Sequence, residues 1–229
     1  MPILTNHTDW DTPVNTHLLR EERAKLALGR NIYYLRKYRG FSQAELAEII
    51  KAPQRSISEM ESGTSNMTFD KMERLAEALG VSVSVLTSEK MNWRMIEMVE
   101  YFMRKLDGTI DTLKALKLAY FTDLLHKEQT GEKFTNLSYI RYNFWPFTED
   151  IYTIKTIFRE VDKNTVANEK PFVSNVFLED ADKSFLDSIL AKYGKFSGTE
   201  LMKQSYKTEP MERIGAKLGG NEHMMETVL

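Results

Sequence analysis

Phe41-Ser42-Gln43-Ala44-Glu45-Leu46-Ala47-Glu48-Ile49-Ile50-Lys51-Ala52-Pro53-Gln54-Arg55-Ser56-Ile57-Ser58-Glu59-Met60-Glu61-Ser62-Gly63 decides how the first part of this 229-residue chain folds. Ser42 followed by Glu45 is a capping box. The serine hydroxyl takes an orphan helical N–H and the glutamate reaches back to the serine N–H, so a helix starts at Gln43. Its spacing places Leu46, Ile49 and Ile50 inward, and the small Ala47 lets a second helix approach closely. Pro53 suits the opening of that second helix, where its missing N–H would have no partner. The second helix runs from Gln54 to Glu61, buries Ile57 and Met60, and stops at Ser62-Gly63. Upstream, Ile32 and Leu35 belong to a preceding helix closed by Gly40. Downstream, Met72, Leu75, Ala76 and Leu79 make a fourth helix ending at Gly80, and residues 81–86 a short fifth.

This arrangement resembles the Cro/repressor-type helix-turn-helix family. The matching words are Phe41-Ser42-Gln43-Ala44-Glu45-Leu46-Ala47, Ile57-Ser58-Glu59-Met60-Glu61-Ser62-Gly63 and Leu75-Ala76-Glu77-Ala78-Leu79-Gly80-Val81-Ser82. One departure is Lys51, where the family usually turns on glycine. The resemblance implies operator DNA as a partner, with the helix 54–61 in the major groove. Gln54, Arg55, Ser56, Ser58 and Glu59 would then face the bases. Arg55 suits a guanine O6/N7 edge and Gln54 an adenine N6/N7 edge. Gln43, at a helix start, is expected on phosphate, with Arg36, Asn66 and Lys71 as further phosphate contacts. A partly exposed ion pair from Arg36 to Glu61 is expected to aim Arg36 at the backbone.

Composition bounds the rest. The chain is 42% hydrophobic and 28% charged, which argues against wholesale disorder. Net charge is 31 − 33 = −2, so no global field holds it on nucleic acid, and DNA binding must come from a local surface. Few phosphate contacts mean weak monomer affinity, so a homodimer on a palindromic operator is expected. No apolar run approaches a membrane span and the first residues lack a signal-peptide core, so no membrane partner and a cytoplasmic location are expected. There is no Cys, which removes disulfides, thiolate nucleophiles and Cys-ligated zinc.

The fold class expected is mainly α. A flexible arm over residues 1–25 leads into a five-helix domain over 26–86, and a polar linker at 87–90 leads into a second, mostly helical domain over 91–219. In that domain Met95, Ile96, Val99, Phe102, Met103 and Leu106 form one helical stripe, and Leu113, Leu116, Tyr120, Phe121 and Leu124 another. Asp182 to Tyr193 is a third helix, and Ser197-Gly198-Thr199-Glu200 is a capping box opening a fourth. Residues 162–171 read as a long loop. Only 137–147 suggests an extended piece, because Tyr139, Tyr142, Phe144 and Trp145 are strand-prone and Pro146 bars a helix interior.

No residue set demands catalysis. His7, His17, His126 and His223 are isolated, with no metal-ligand spacing, and there is no glycine-rich phosphate loop, so neither an enzyme nor a cofactor or metal is expected. Glu149-Asp150 and Glu179-Asp180-Asp182 sit at helix starts, where the helix dipole favours carboxylates. The aromatics Tyr139, Tyr142, Phe144, Trp145 and Phe147 are more distinctive. Several must be core, yet with Arg141 their composition is that of an interface hot spot, and their alternation should leave one side partly exposed.

The second domain resembles the Panacea domain through Leu116-Lys117-Leu118-Ala119-Tyr120-Phe121-Thr122-Asp123, Arg141-Tyr142-Asn143-Phe144-Trp145-Pro146-Phe147, and Phe185-Leu186-Asp187 with Lys192-Tyr193-Gly194-Lys195-Phe196-Ser197. Family members often carry Gly-Pro where Trp145-Pro146 stands here, and a Ser-His pair and a later Trp are here Ser205-Tyr206 and Met211. The resemblance implies an antitoxin of a type II toxin–antitoxin system. The second domain would bind a cognate protein toxin, through Tyr139, Arg141, Tyr142, Phe144, Trp145 and Phe147, and the first would autorepress its operon. The rival from another class is a phage-type or ligand-responsive repressor with a C-terminal sensor domain.

Overall fold

The computed structural model describes residues 20–142, 145–168, 178–213 and 227–229. They divide into two compact units, 20–91 and 92 onward. In the first, α1 (Arg20–Tyr38), α2 (Gln43–Ile49), α3 (Gln54–Glu61), α4 (Phe69–Leu79) and α5 (Val83–Leu86) follow in order. The expected arm is therefore helical from Arg20 onward, and its residues 1–19 lie outside the described residues. The Ser42 hydroxyl accepts from the Glu45 N–H at 3.1 Å and the Glu45 carboxylate from the Ser42 N–H at 2.7 Å, completing the capping box. Ile32, Leu35, Leu46, Ile57, Leu75, Leu79 and Leu86 form a core closed to solvent.

One inward expectation is corrected: Ile49 is 48% exposed. At 100° per residue, the buried Leu46, Ala47 and Ile50 span an arc of about 100°, and Ile49 falls about as far again from its centre. The α2–α3 turn keeps its left-handed shape without glycine, since Lys51 has φ 53°. Close helix approach is decided elsewhere, at Gly29 in α1. A Cβ there would lie 2.6 Å from the carbonyl oxygens of Met60 and Glu61, so glycine is what lets α1 lie against the end of α3.

In the second unit, α6 (Trp93–Lys105) and α7 (Thr112–Thr130) are the central helices, with residues 95–103 and 115–124 all buried. Around them pack α9 (Asp180–Tyr193) and α10 (Gly198–Ser205), and the short α11 (Glu209–Arg213) follows with Met211 buried. The short α8 (Ile154–Ile157) follows a 3₁₀ turn over Glu149–Thr153 that carries the expected acidic pair at its start. The mainly α architecture is as the sequence implies, and the extended pieces form two small antiparallel sheets. In one, β1 (Thr109–Asp111), β5 (Thr165–Ala167) and β4 (Arg159–Glu160) lie in the order β1-β5-β4, with Ile110 opposite Val166. The other is a hairpin of β2 (Ile140–Tyr142) and β3 (Trp145–Phe147).

The loop expected over 162–171 is thus a strand for part of its length. Asp162 Oδ1 accepts from the N–H groups of Asn164 and Thr165 at 2.8 and 2.9 Å, a side-chain turn that reverses the chain between β4 and β5. Residues 169–171 lie outside the described residues. A buried polar knot ties the segment before β2 to α7. The Asp123 carboxylate accepts from the Thr135 N–H (2.6 Å), the Thr135 hydroxyl (2.5 Å) and the Tyr139 hydroxyl (2.9 Å). Burial nonetheless pushes Asp123 above the usual carboxylate range, the three hydrogen bonds acting in the opposite direction. Val228 closes the far edge of the hairpin, donating its N–H to the Tyr139 carbonyl at 2.8 Å.

Candidate functional site

Helix α3 offers a polar outer face in the first unit. Gln54, Arg55 and Ser58 are exposed and Ser56 and Glu59 are half-buried on their flank. Arg55 is the most projecting, with its side chain 88% exposed, and its Nε lies 2.7 Å from Glu59 Oε1 one turn on. A guanidinium so placed can exchange an exposed, solvent-screened carboxylate for another acceptor at small cost. Asn66 is exposed beside this face in sequence, and Lys71 is half-buried in the first turn of α4, its N–H capped by Thr68 Oγ1 at 3.4 Å.

One expected phosphate contact is reassigned. Arg36 is buried, not partly exposed, and its guanidinium turns inward. Nε and Nη2 donate to Glu61 Oε1 and Oε2 at 2.5 and 3.0 Å, and Nη1 donates to the Phe41 carbonyl at 2.8 Å. The expected ion pair exists but holds the arginine inside. Gln43 joins it, since its Nε2 donates to Glu61 Oε2 at 2.8 Å. Both side chains therefore position α3 through its last residue, and what remains of Gln43 for an anion is its place at a helix start. A carboxylate at a helix C-terminus is disfavoured by the helix dipole, and here the buried guanidinium offsets it.

In the second unit the hairpin's two-residue period sorts the expected interface set. Tyr139 and Arg141 point inward and are fully buried, whereas Ile140 is half-buried and Tyr142 is 42% exposed. Across the ladder Arg141 faces the buried Pro146, and Tyr142 faces Trp145. Trp145 and Phe147 are half-buried on the outward side with Tyr142, and Phe144 lies outside the described residues. Arg141 is thus corrected from a surface residue to an interior one. Lys117 reaches the inner face of the hairpin. Its Nζ donates to the Pro146 carbonyl at 2.8 Å, and burial pushes the amine well below its usual range.

Outward, Tyr142 lies 5.3 Å from Phe147 between ring centroids, and Phe147 lies 5.9 Å from Tyr152, itself 55% exposed. These rings and Trp145 line an open groove of about 640 Å³, whose other wall comes from the starts of α7 and α10. Sequence reading missed that wall. The capping boxes and N-caps located the helix starts, but nothing local says that two of them meet the same hairpin. Lys117 was open to detection, as a lysine inside an otherwise apolar helix face. Among the described residues no cluster of three or more His, Asp or Glu could hold a metal, and no helix is long and apolar enough to cross a membrane.

Residues 32–86 match the family model described as helix-turn-helix, and residues 116–210 the one described as antitoxin SocA-like, Panacea domain. No curated protein matches the chain. The two matched families are DNA-binding and antitoxin-like, not enzymatic. The chain thus joins a stretch that matches the Cro/repressor-type helix-turn-helix family, residues 32–86, to one that matches the SocA-like Panacea family, residues 116–210.

Proposed function

We propose that this protein is the antitoxin of a type II toxin–antitoxin pair: residues 91–219 bind and block a cognate protein toxin, and residues 26–86 repress the operon that encodes both. The observation that carries the reading is the pairing of two unlike surfaces on one chain. The first unit presents an exposed polar recognition helix with Arg55 outermost, and the second an exposed aromatic face at Tyr142 and Tyr152. A regulator alone uses the first surface and leaves the second idle. The net charge of −2 favours a homodimer on a palindromic operator, because doubling the contacts compensates for a weakly basic module. Such a repressor works in the cytoplasm.

The test expresses the reading frame adjacent to this gene, alone and beside the full chain. Lethality alone and growth in company are expected. The double variant Gln54→Ala with Arg55→Ala should lose repression of a reporter and still rescue growth. Loss of rescue in that variant, with its fold intact, would mean that protection acts through repression, and direct neutralisation would be wrong.

A further inference from the structure

The outer face of α3 carries two charged side chains, Arg55 and Glu59, one turn apart and joined; Glu61, the third charged residue of the helix, is buried. The joint is one-sided. Arg55 Nε donates to Glu59 Oε1 at 2.7 Å, and among the described residues Arg55 Nη1, Arg55 Nη2 and Glu59 Oε2 have no partner. A guanidinium held at Nε still presents its Nη1/Nη2 edge, two parallel N–H groups that match the O6 and N7 acceptors of guanine. Glu59 is anchored in turn. Its carbonyl accepts the Thr64 and Ser65 N–H groups at 3.0 and 3.2 Å and the Ser62 hydroxyl at 3.1 Å, so a helix end that would otherwise fray is closed around it. A carboxylate on a surface that meets a polyanion repels phosphate, and it is accommodated only where it finds a donor. The major groove offers amino groups on cytosine and adenine alone, and on adenine the neighbouring N7 acceptor opposes a carboxylate. Cytosine N4 is the fitting partner.

We propose that Glu59 is a specificity-determining residue, and that with Arg55 it reads a guanine and a cytosine in adjacent base pairs of the operator. The inference rests on the DNA-binding half of the proposed function. Arg55 takes the guanine through its Nη edge while Glu59 Oε1 keeps hold of Nε, so the guanidinium meets the base already oriented. Glu59 Oε2 accepts from cytosine N4. The Cα of Glu59 lies about 6 Å further along α3 than that of Arg55, nearly two base-pair steps of about 3.4 Å, and its reach back to Nε brings the carboxylate to the next pair. The same carboxylate opposes thymine O4 or guanine O6 at that pair and opposes phosphate on unrelated DNA. It therefore acts by lowering affinity for wrong sequences.

The experiment selects duplexes from a randomised DNA library with the full-length chain, then measures the enriched duplex and its single-base variants by fluorescence anisotropy. Each enriched half-site should contain a guanine and a cytosine in adjacent pairs. Replacing that cytosine by thymine should weaken binding about tenfold. Glu59→Gln and Glu59→Ala should each reduce this penalty to under about threefold, weaken the preference for the neighbouring guanine and raise affinity for an unrelated duplex. Melting should not change, because the pair is open to solvent. Both variants are needed, since a glutamine can itself read adenine. An enriched site without the adjacent guanine and cytosine, or base preferences that both Glu59 variants leave unchanged, overturns the inference and leaves DNA binding standing. Enrichment of no sequence at all, or an operator affinity indifferent to Gln54→Ala with Arg55→Ala, removes DNA recognition by α3 and the inference with it.

Discussion

The Arg36 guanidinium grips the Glu61 carboxylate through two hydrogen bonds, 2.5 and 3.0 Å long, with both side chains buried between α1 and the end of α3. A buried pair of this kind is costly to break because the survivor keeps its charge without its partner. Glu61→Gln and Arg36→Met should each destabilise the first unit by about 3–5 kcal/mol in urea unfolding. The double variant Arg36→Met with Glu61→Met should recover most of that loss. Equal losses in single and double variants would mean that packing, not the pair, holds the two helices.

Lys51 occupies left-handed backbone at φ 53°, where a side chain is disfavoured and glycine is not. Lys51→Gly should raise stability by about 0.5–1 kcal/mol, read as a higher urea midpoint at unchanged slope. A lower midpoint would show that the lysine contributes a contact that outweighs its backbone strain.

Among the described residues Arg55 is held by Glu59 one turn on along its own helix, with its side chain 88% exposed, so it is available to a base edge. Arg55→Ala should weaken operator binding by about 1–3 kcal/mol and relax selectivity at one base pair. Glu59→Gln should raise non-specific affinity, because it removes a carboxylate from the face and releases the guanidinium. Footprints and affinities unchanged by Arg55→Ala would contradict docking through α3.

The Lys117 amine, buried against the Pro146 carbonyl, is displaced well below its usual range by loss of solvent. In the unfolded chain it titrates near the ordinary value of about 10.4, so below that value the unfolded state binds the extra proton. Stability should therefore rise as pH is raised towards 10, and fall as pH drops towards the depressed folded value. Lys117→Met should flatten this alkaline rise and stabilise the second unit by about 1 kcal/mol at neutral pH. A variant with the parent's pH profile would show that Lys117 does not carry the titration.

Residues that act on their immediate neighbours were legible from the sequence alone. The capping boxes at Ser42/Glu45 and Ser197/Glu200, and the stops at Gly63 and Gly80, depend on contacts within a few positions, so α2, α3, α4 and α10 could be placed from order and spacing. The outward face of α3 followed from the same helical period. Tertiary structure decided what each side chain faces across elements. Arg36 and Arg141 looked like surface cations by residue type, and both are buried, one because α3 ends on a carboxylate beside α1, the other because ladder register sets it opposite Pro146. Ile49 was exposed for the converse reason: a two-turn helix buries one narrow arc, and the neighbouring elements choose which. The groove needed three distant segments, β2–β3 and the starts of α7 and α10, brought together by the packing of α10 on α7. Local chemistry is written in adjacent residues, whereas burial and pairing depend on register and helix contact between residues far apart in the chain, which no short window of sequence contains.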